Sequence, residues 1–283
     1  MSEHIFFRLE AENFTLHSME ILQNGTSVLH YGADKRFPVY SITKSVTALA
    51  FALACDEGVL SAEHRLSDFL EERYQPLMRG EFQEMPFRRF LTMTAGEYPF
   101  RPAGEDWLAG IFALPTDYSD CGYHYSNIPA YLVGAAVENA VGGDLMGYLN
   151  RQIFAPLGIS EPPHQTSPEG HFYGATGMEL TAQELSRLGQ LVLQGGTWDG
   201  TPLIREETVR ELTAPRIPTS RGDHYGYFFR VADDHVSMVG KWGQRCMIYP
   251  ARKLVVAYLS HQPERSEALY ETVRDAIREE TAL

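Results

Sequence analysis

Strand patterns sit at both ends of this 283-residue chain, and helical patterns fill its middle. That bracket limits the available folds, because strands far apart in sequence must meet if they are to share one sheet. Residues 4–40 read as short strands. Phe14 to Leu22 is one, Asn24-Gly25 is a hairpin turn, and Ser27 to Tyr31 is the return strand. At the far end the strand segments are Tyr225 to Val231, Val236 to Val239, Arg245 to Tyr249 and Leu254 to Ser260. Pro263 ends that run, and Arg265 to Glu280 has the spacing of an amphipathic helix.

The middle reads differently. Ala62 to Leu70, Phe87 to Met93, Asp106 to Leu114, Ile128 to Val141 and Leu145 to Ile153 are helical segments. Glu97 to Tyr123 is rich in Gly, Pro, Tyr and Asp and reads as a long loop around one of them. Thr181-Ala182-Gln183-Glu184 is a capping box that opens a helix carrying Leu185, Leu188, Leu191 and Val192. The expected class is α+β: an antiparallel sheet built from both chain ends and flanked by helices, with an inserted mainly helical domain. The expected division is 1–60 with 181–283 for the sheet domain and 61–180 for the insertion. A site is then expected between the two parts.

Ser41-Ile42-Thr43-Lys44 stands before the apolar run Val46 to Cys55, at a helix mouth. Positions i and i+3 share a helix face, so the amine can reach the hydroxyl. The helix dipole and burial both favour a neutral lysine there, able to accept a proton. The Ser41 N–H is free to bind an oxyanion, because first-turn amides lack intrahelical partners. Roughly one S-x-x-K is expected by chance in a chain this long. The bland alternative is a capping serine with a surface lysine. Scarcity adds weight to the chemical reading: the lysines are Lys35, Lys44, Lys241 and Lys253 only, and arginine supplies most positive charge.

Tyr125-Ser126-Asn127 precedes the helix at Ile128. A tyrosine there can act as a general base if nearby ammonium groups favour its phenolate; otherwise it is a loop aromatic packed on the core. Lys241-Trp242-Gly243 lies between two strands, where Gly243 permits close approach of a ligand or is simply an ordinary turn residue. His124 stands beside Tyr125 and reads as a bystander.

Together these three elements resemble the serine β-lactamase and penicillin-binding-protein family, with its S-x-x-K, S-D-N and K-T-G set. The Tyr-Ser-Asn form is similar to the class C branch and its esterase and D-amino-acid peptidase relatives. Leu91 to Gly96, Phe154 to Ile159 and Gly174 to Leu185 resemble further segments of the family. The resemblance implies a β-lactamase/transpeptidase-like fold. It implies Ser41 as the acylated nucleophile, with Lys44 and Tyr125 handling its proton. It implies that Asn127 positions substrate, that Lys241 holds Tyr125 electrostatically, and that the N–H groups of Ser41 and Gln244 form the oxyanion hole. Trp242 departs from the usual Thr or Ser, whose hydroxyl helps to bind a carboxylate; together with Gly243 it is placed at the substrate.

The expected activity is therefore that of a serine hydrolase, a carboxylesterase by preference, acting on a small-molecule ester or amide. The alternatives are a β-lactamase or D-amino-acid peptidase of the same family, and a non-catalytic ligand-binding member of the fold. Other chemistries lack their signatures: no G-x-S-x-G elbow, H-E-x-x-H pair or Walker loop is present, so no cofactor and no metal are expected. A net charge of −13 argues against nucleic acid and against an anionic membrane surface. The three cysteines are far apart, which disfavours a disulfide framework or zinc ribbon. The first residues lack a basic segment followed by an apolar one, so no signal peptide is visible and a cytoplasmic location is expected.

Overall fold

The structure, a computed structural model, describes residues 2–279. The chain opens not with a strand but with helix α1 (Ser2–Ala11). Ile5 and Leu9, one turn apart, are buried in its contact with the C-terminal helix. That long-range contact is why the strand expectation for residues 4–11 fails: the helix is stabilised by a partner some 260 positions away. Next come β1 (Leu16–Gln23) and β2 (Thr26–Gly32). Asn24 (φ 52°) and Gly25 (φ 77°) turn between them in the left-handed conformation that a two-residue hairpin requires.

After the central helix α2 (Ile42–Asp56), the helical stretch contributes α3 (Trp107–Phe112) and α4 (Ile128–Ala140). Leu145–Leu149 continues into a wider π turn at Asn150–Phe154, and the helix expected at 62–70 is a short 3-10 turn at Leu66–Phe69. Helix α5 (Ala182–Leu193) has both reciprocal bonds of the Thr181–Glu184 capping box. The expected strand 225–231 is instead two short strands, His224–Tyr225 and Arg230–Val231, because Phe228 at φ 60° folds the chain back between them.

With β3 (Ile217–Pro218), those two as β4 and β5, β6 (Val236–Gly240), β7 (Gln244–Tyr249) and β8 (Leu254–Ser260), the described residues form one eight-stranded antiparallel sheet. Its order is β2-β1-β8-β7-β6-β5-β4-β3. The chain ends meet in the β1–β8 ladder, from Leu16 opposite Ser260 to Gln23 opposite Leu254. Alternation then divides the sheet between two cores. Met19, Ile21, Met247, Tyr249, Val256 and Tyr258 pack against α1 and the last helix, α6 (Ser266–Glu279). Cys246, Ile248, Val255, Ala257 and Leu259 face α5 and the large helical core. The expected end of α6 at Glu280 lies outside the described residues. Gly189 lets α5 approach closely, since a Cβ there would sit 2.4 Å from the Cys246 sulfur. Among the described residues no helix is long and apolar enough to cross a membrane.

Helix α2 is buried along almost its whole length, and α4 packs beside it. An apolar helix surrounded on every side is a rigid post, and its N-terminus is where the site is built.

Candidate active site

The three motifs converge on the N-terminus of α2. Ser41 is the residue just before the helix. Its side chain makes no capping bond, and among the described residues its N–H finds no acceptor. The hydroxyl and the amide are therefore both available to a ligand. The preceding segment is held tightly. Val39 donates to the Met178 carbonyl, and Gly240 of β6 comes so close that a Cβ there would lie 2.3 Å from the Val39 carbonyl oxygen. Tyr40 adopts φ 49°, a left-handed conformation unusual for a bulky residue.

Lys44 is 1% exposed. Its Nζ lies 3.2 Å from Ser41 Oγ, 2.7 Å from Asn127 Oδ1 and 3.0 Å from the Ala175 carbonyl. Burial lowers its pKa from 10.5 to about 7, because an ammonium loses hydration there that these neutral acceptors do not fully replace. A neutral amine is then well populated near neutral pH. Of its three partners only the Ser41 hydroxyl carries a proton to give it.

Tyr125 sits over the same amine, with Nζ 4.9 Å from its ring centroid. The phenolate expected from the sequence is not favoured. Burial pushes the phenol up to about 12, against a hydrogen bond with Ser41 and the charge of Arg230 that pull it down. The protonated phenol is the favoured form. Arg230, absent from the sequence-based set, is the cation felt by Tyr125, and Asp223 clamps it with Nε 2.6 Å from Oδ2. Tyr225, opposite Arg230 in the β4–β5 pair, packs edge-on against Tyr125 at 6.1 Å. No motif marks Arg230 or Tyr225, which reach the site only because the chain reverses at Phe228.

Lys241, Trp242 and Gly243 form the tight turn between β6 and β7. Lys241 Nζ lies 4.5 Å from the centre of the Trp242 indole. Trp242 adopts φ 63° and packs edge-on against Tyr40 (5.2 Å) and His261 (4.8 Å). Thus two left-handed aromatic residues meet beside Ser41. Gly243 is required by close packing, since a Cβ would lie 2.4 Å from Ser260 Oγ. The Gln244 side chain is spent on Ser260, donating to its carbonyl at 2.7 Å and accepting from its N–H at 2.9 Å. Only its backbone remains to serve a ligand.

Asn127 lines the cleft, but its amide is already engaged: Oδ1 accepts from Lys44, and Nδ2 donates to Tyr173 Oη at 2.9 Å. His124 is paired with Asp120 at 2.7 Å and does not line the cleft. Around Ser41 these residues enclose a cleft of about 540 Å³, which Phe100 and Arg101 also line. Among the described residues no group of three His, Cys, Asp or Glu side chains could hold a metal. A hydroxyl, a buried amine, a protonated phenol and a free helix-start amide are the parts needed for acyl transfer.

The family model described as Beta-lactamase matches residues 18–279. No curated protein matches the chain significantly. Among solved structures, a candidate β-lactamase from Bacteroides dorei DSM 17855 is 18% identical over 98% of both chains, with a TM-score of 0.80. A penicillin-binding protein homologue from Caulobacter crescentus is 18% identical over 97% of both chains, with a TM-score of 0.76. A penicillin-binding protein from Bacillus halodurans is 16% identical over 96% of this chain and 99% of its own, with a TM-score of 0.75. At these identities the structural likeness concerns the fold.

Proposed function

The chain belongs to the Beta-lactamase family, and from that premise we propose that it is a serine hydrolase working through an acyl-enzyme on a small ester or amide, with an ester favoured. The observation that carries this reading is the buried Lys44 amine 3.2 Å from Ser41 Oγ. The Ser41 proton passes to Nζ as Oγ bonds the acyl carbon. The N–H groups of Ser41 and Gln244 receive the negative charge that develops on the carbonyl oxygen. The leaving group departs with a proton from Tyr125, which the Lys44 ammonium restores. Lys241 and Trp242 border the substrate.

Tyr125→Phe is expected to lower kcat by about a hundredfold or more and to move KM less, because the ring remains and only the proton is lost. Steady-state kinetics on a p-nitrophenyl ester checks this, and an unchanged kcat would leave the tyrosine a packing residue.

Trp242 supports the ester preference. Its indole offers an apolar face where a hydroxyl would otherwise bind a carboxylate, and an anion left short of one donor costs about 1–3 kcal/mol. Intact-mass spectrometry after mixing with a short p-nitrophenyl ester and, separately, a penicillin should find an added acyl group that is absent in Ser41→Ala. The kcat/KM for the ester should exceed that for penicillin by at least tenfold. The informative variant is Trp242→Gly, which keeps the left-handed backbone and deletes the indole; it should narrow the gap. Trp242→Thr confounds that test, since a β-branched residue is strained at φ 63°. Faster turnover of penicillin than of the ester by wild-type enzyme would sink the preference and leave the serine mechanism standing.

One observation favours a second reading, hydrolysis of a β-lactam or a D-amino-acid amide. Among the described residues Lys241 and Arg101 line the cleft without an ion pair, and such cations suit an anionic substrate group. The penicillin arm of the same experiment decides it. A non-catalytic, ligand-binding role predicts that a fluorophosphonate leaves Ser41 unlabelled.

A further inference from the structure

Behind the cleft, the segment Tyr173-Gly174-Ala175 passes between α2 and α4. Gly174 makes that passage possible: a Cβ there would lie 2.9 Å from both the Ala130 carbonyl oxygen and Thr47 Oγ1. Thr47 Oγ1 donates to the Gly174 carbonyl at 2.7 Å, which anchors the segment to α2. Ala175 gives its carbonyl to Lys44, and Tyr173 gives its hydroxyl to Asn127. Tyr173 is 5% exposed and does not line the cleft. Its ring is held edge-on by Trp107 at 4.8 Å and by Tyr131 at 6.0 Å. Glu169 ties both residues down, accepting from the backbone N–H of Trp107 at 3.1 Å and from Tyr131 Oη at 2.5 Å.

We propose that Tyr173 is a positioning residue, whose buried hydroxyl holds the Asn127 amide against Lys44 from outside the cleft. The two ends of that amide need different partners. Asn127 is 2% exposed and forms part of the cleft wall. Facing inward, it places Oδ1 on Lys44, and Nδ2 must then find an acceptor in the protein interior. The Tyr173 hydroxyl is that acceptor. Without it, a buried N–H is left unsatisfied, and the amide is better served by turning toward water in the cleft. Lys44 then loses the shortest of its three contacts, and among the described residues only Ser41 Oγ and the Ala175 carbonyl are left to hold the amine.

The titratable groups around this unit are Tyr125, which Lys44 faces, with Tyr225 packed on its ring, and Tyr173 itself, with Tyr131 on its ring and Glu169 on the Tyr131 hydroxyl. The charges bearing on them are Arg230, acting on Tyr125, and Arg101, acting on Tyr173. A hydrogen-bond acceptor favours the charged form of an amine. Withdrawal of Oδ1 therefore makes Lys44 give up its proton at lower pH.

The four lysines of the chain make this measurable. With 13Cε-labelled lysine, the Lys44 resonance is identified by its loss in Lys44→Arg. In Tyr173→Phe its titration midpoint should fall by about half a pH unit or more. For ester hydrolysis, the same variant should lose at least tenfold in kcat with little change in KM, and that loss should be absent when Tyr173→Phe is made in the Asn127→Ala background. A merely structural tyrosine would instead lower the melting temperature, add its kinetic loss to that of Asn127→Ala, and leave the Lys44 titration where it was. That outcome overturns the proposal. The kinetic arm rests on the hydrolase reading and the titration arm does not. A shifted Lys44 in a protein that turns over neither ester nor penicillin and whose Ser41 resists a fluorophosphonate would therefore refute the hydrolase reading and keep the positioning role.

Discussion

Ser41→Ala is expected to lose at least a thousandfold in ester turnover and to keep the fold. Removing the nucleophile of an acyl-enzyme pathway leaves only what binding and oxyanion contacts can do, so the loss is measured in orders of magnitude. The stability change should be small. A capping serine replaced by alanine costs about 1 kcal/mol, and here the Ser41 side chain makes no cap bond at all. Its contacts with Lys44 and Tyr125 lie on the proposed proton path and not at the helix start. Burst kinetics together with a thermal melt check both halves. A variant that kept more than a tenth of wild-type turnover would remove Ser41 from the role of nucleophile.

Lys44→Arg is expected to be nearly as damaging as Lys44→Ala, each by roughly a hundredfold to ten-thousandfold in kcat. Arginine keeps the charge but does not release a proton near neutral pH, and its planar fork does not fit three acceptors arranged around one nitrogen. The same reasoning sets the pH dependence of the wild-type enzyme. Lys44 must be neutral to accept the serine proton, and its midpoint in the folded protein is about 7. kcat/KM should therefore be low at acid pH, rise through about pH 7 and level off above it. Tyr125, pushed up to about 12, stays protonated across that plateau. Residual activity in Lys44→Arg should lack the limb near pH 7. An arginine variant with wild-type activity would reduce Lys44 to an electrostatic partner.

The parts of the fold that were legible in the sequence are those decided within a few residues. Asn24-Gly25 specifies its hairpin because both positions must take positive φ, and Thr181 with Glu184 closes its own capping box. The S-x-x-K spacing belongs to the same class, since a helix alone brings residues 41 and 44 together. The N-terminal helix was not legible. Ile5 and Leu9 carry a helical spacing too short to be distinctive, and only the packing of α1 on α6 settles their conformation. The split of residues 224–231 into two strands was hidden for a different reason, because Phe228 carries a left-handed turn that aromatic residues rarely adopt.

By itself, then, the sequence determined which residue types would be available for acyl transfer and the order in which the chain would present them. It also determined that strands from its two ends must pair. The tertiary structure alone decided their chemistry. Whether Lys44 is a base depends on its burial among α2, α4 and residues 173–175, and no local spacing encodes that degree of desolvation. Whether Tyr125 is phenolate or phenol depends on burial outweighing a single arginine brought in by a distant hairpin. Protonation states are set by the field and hydration of the whole assembled site, while motif spacing records only which groups the backbone can bring within reach.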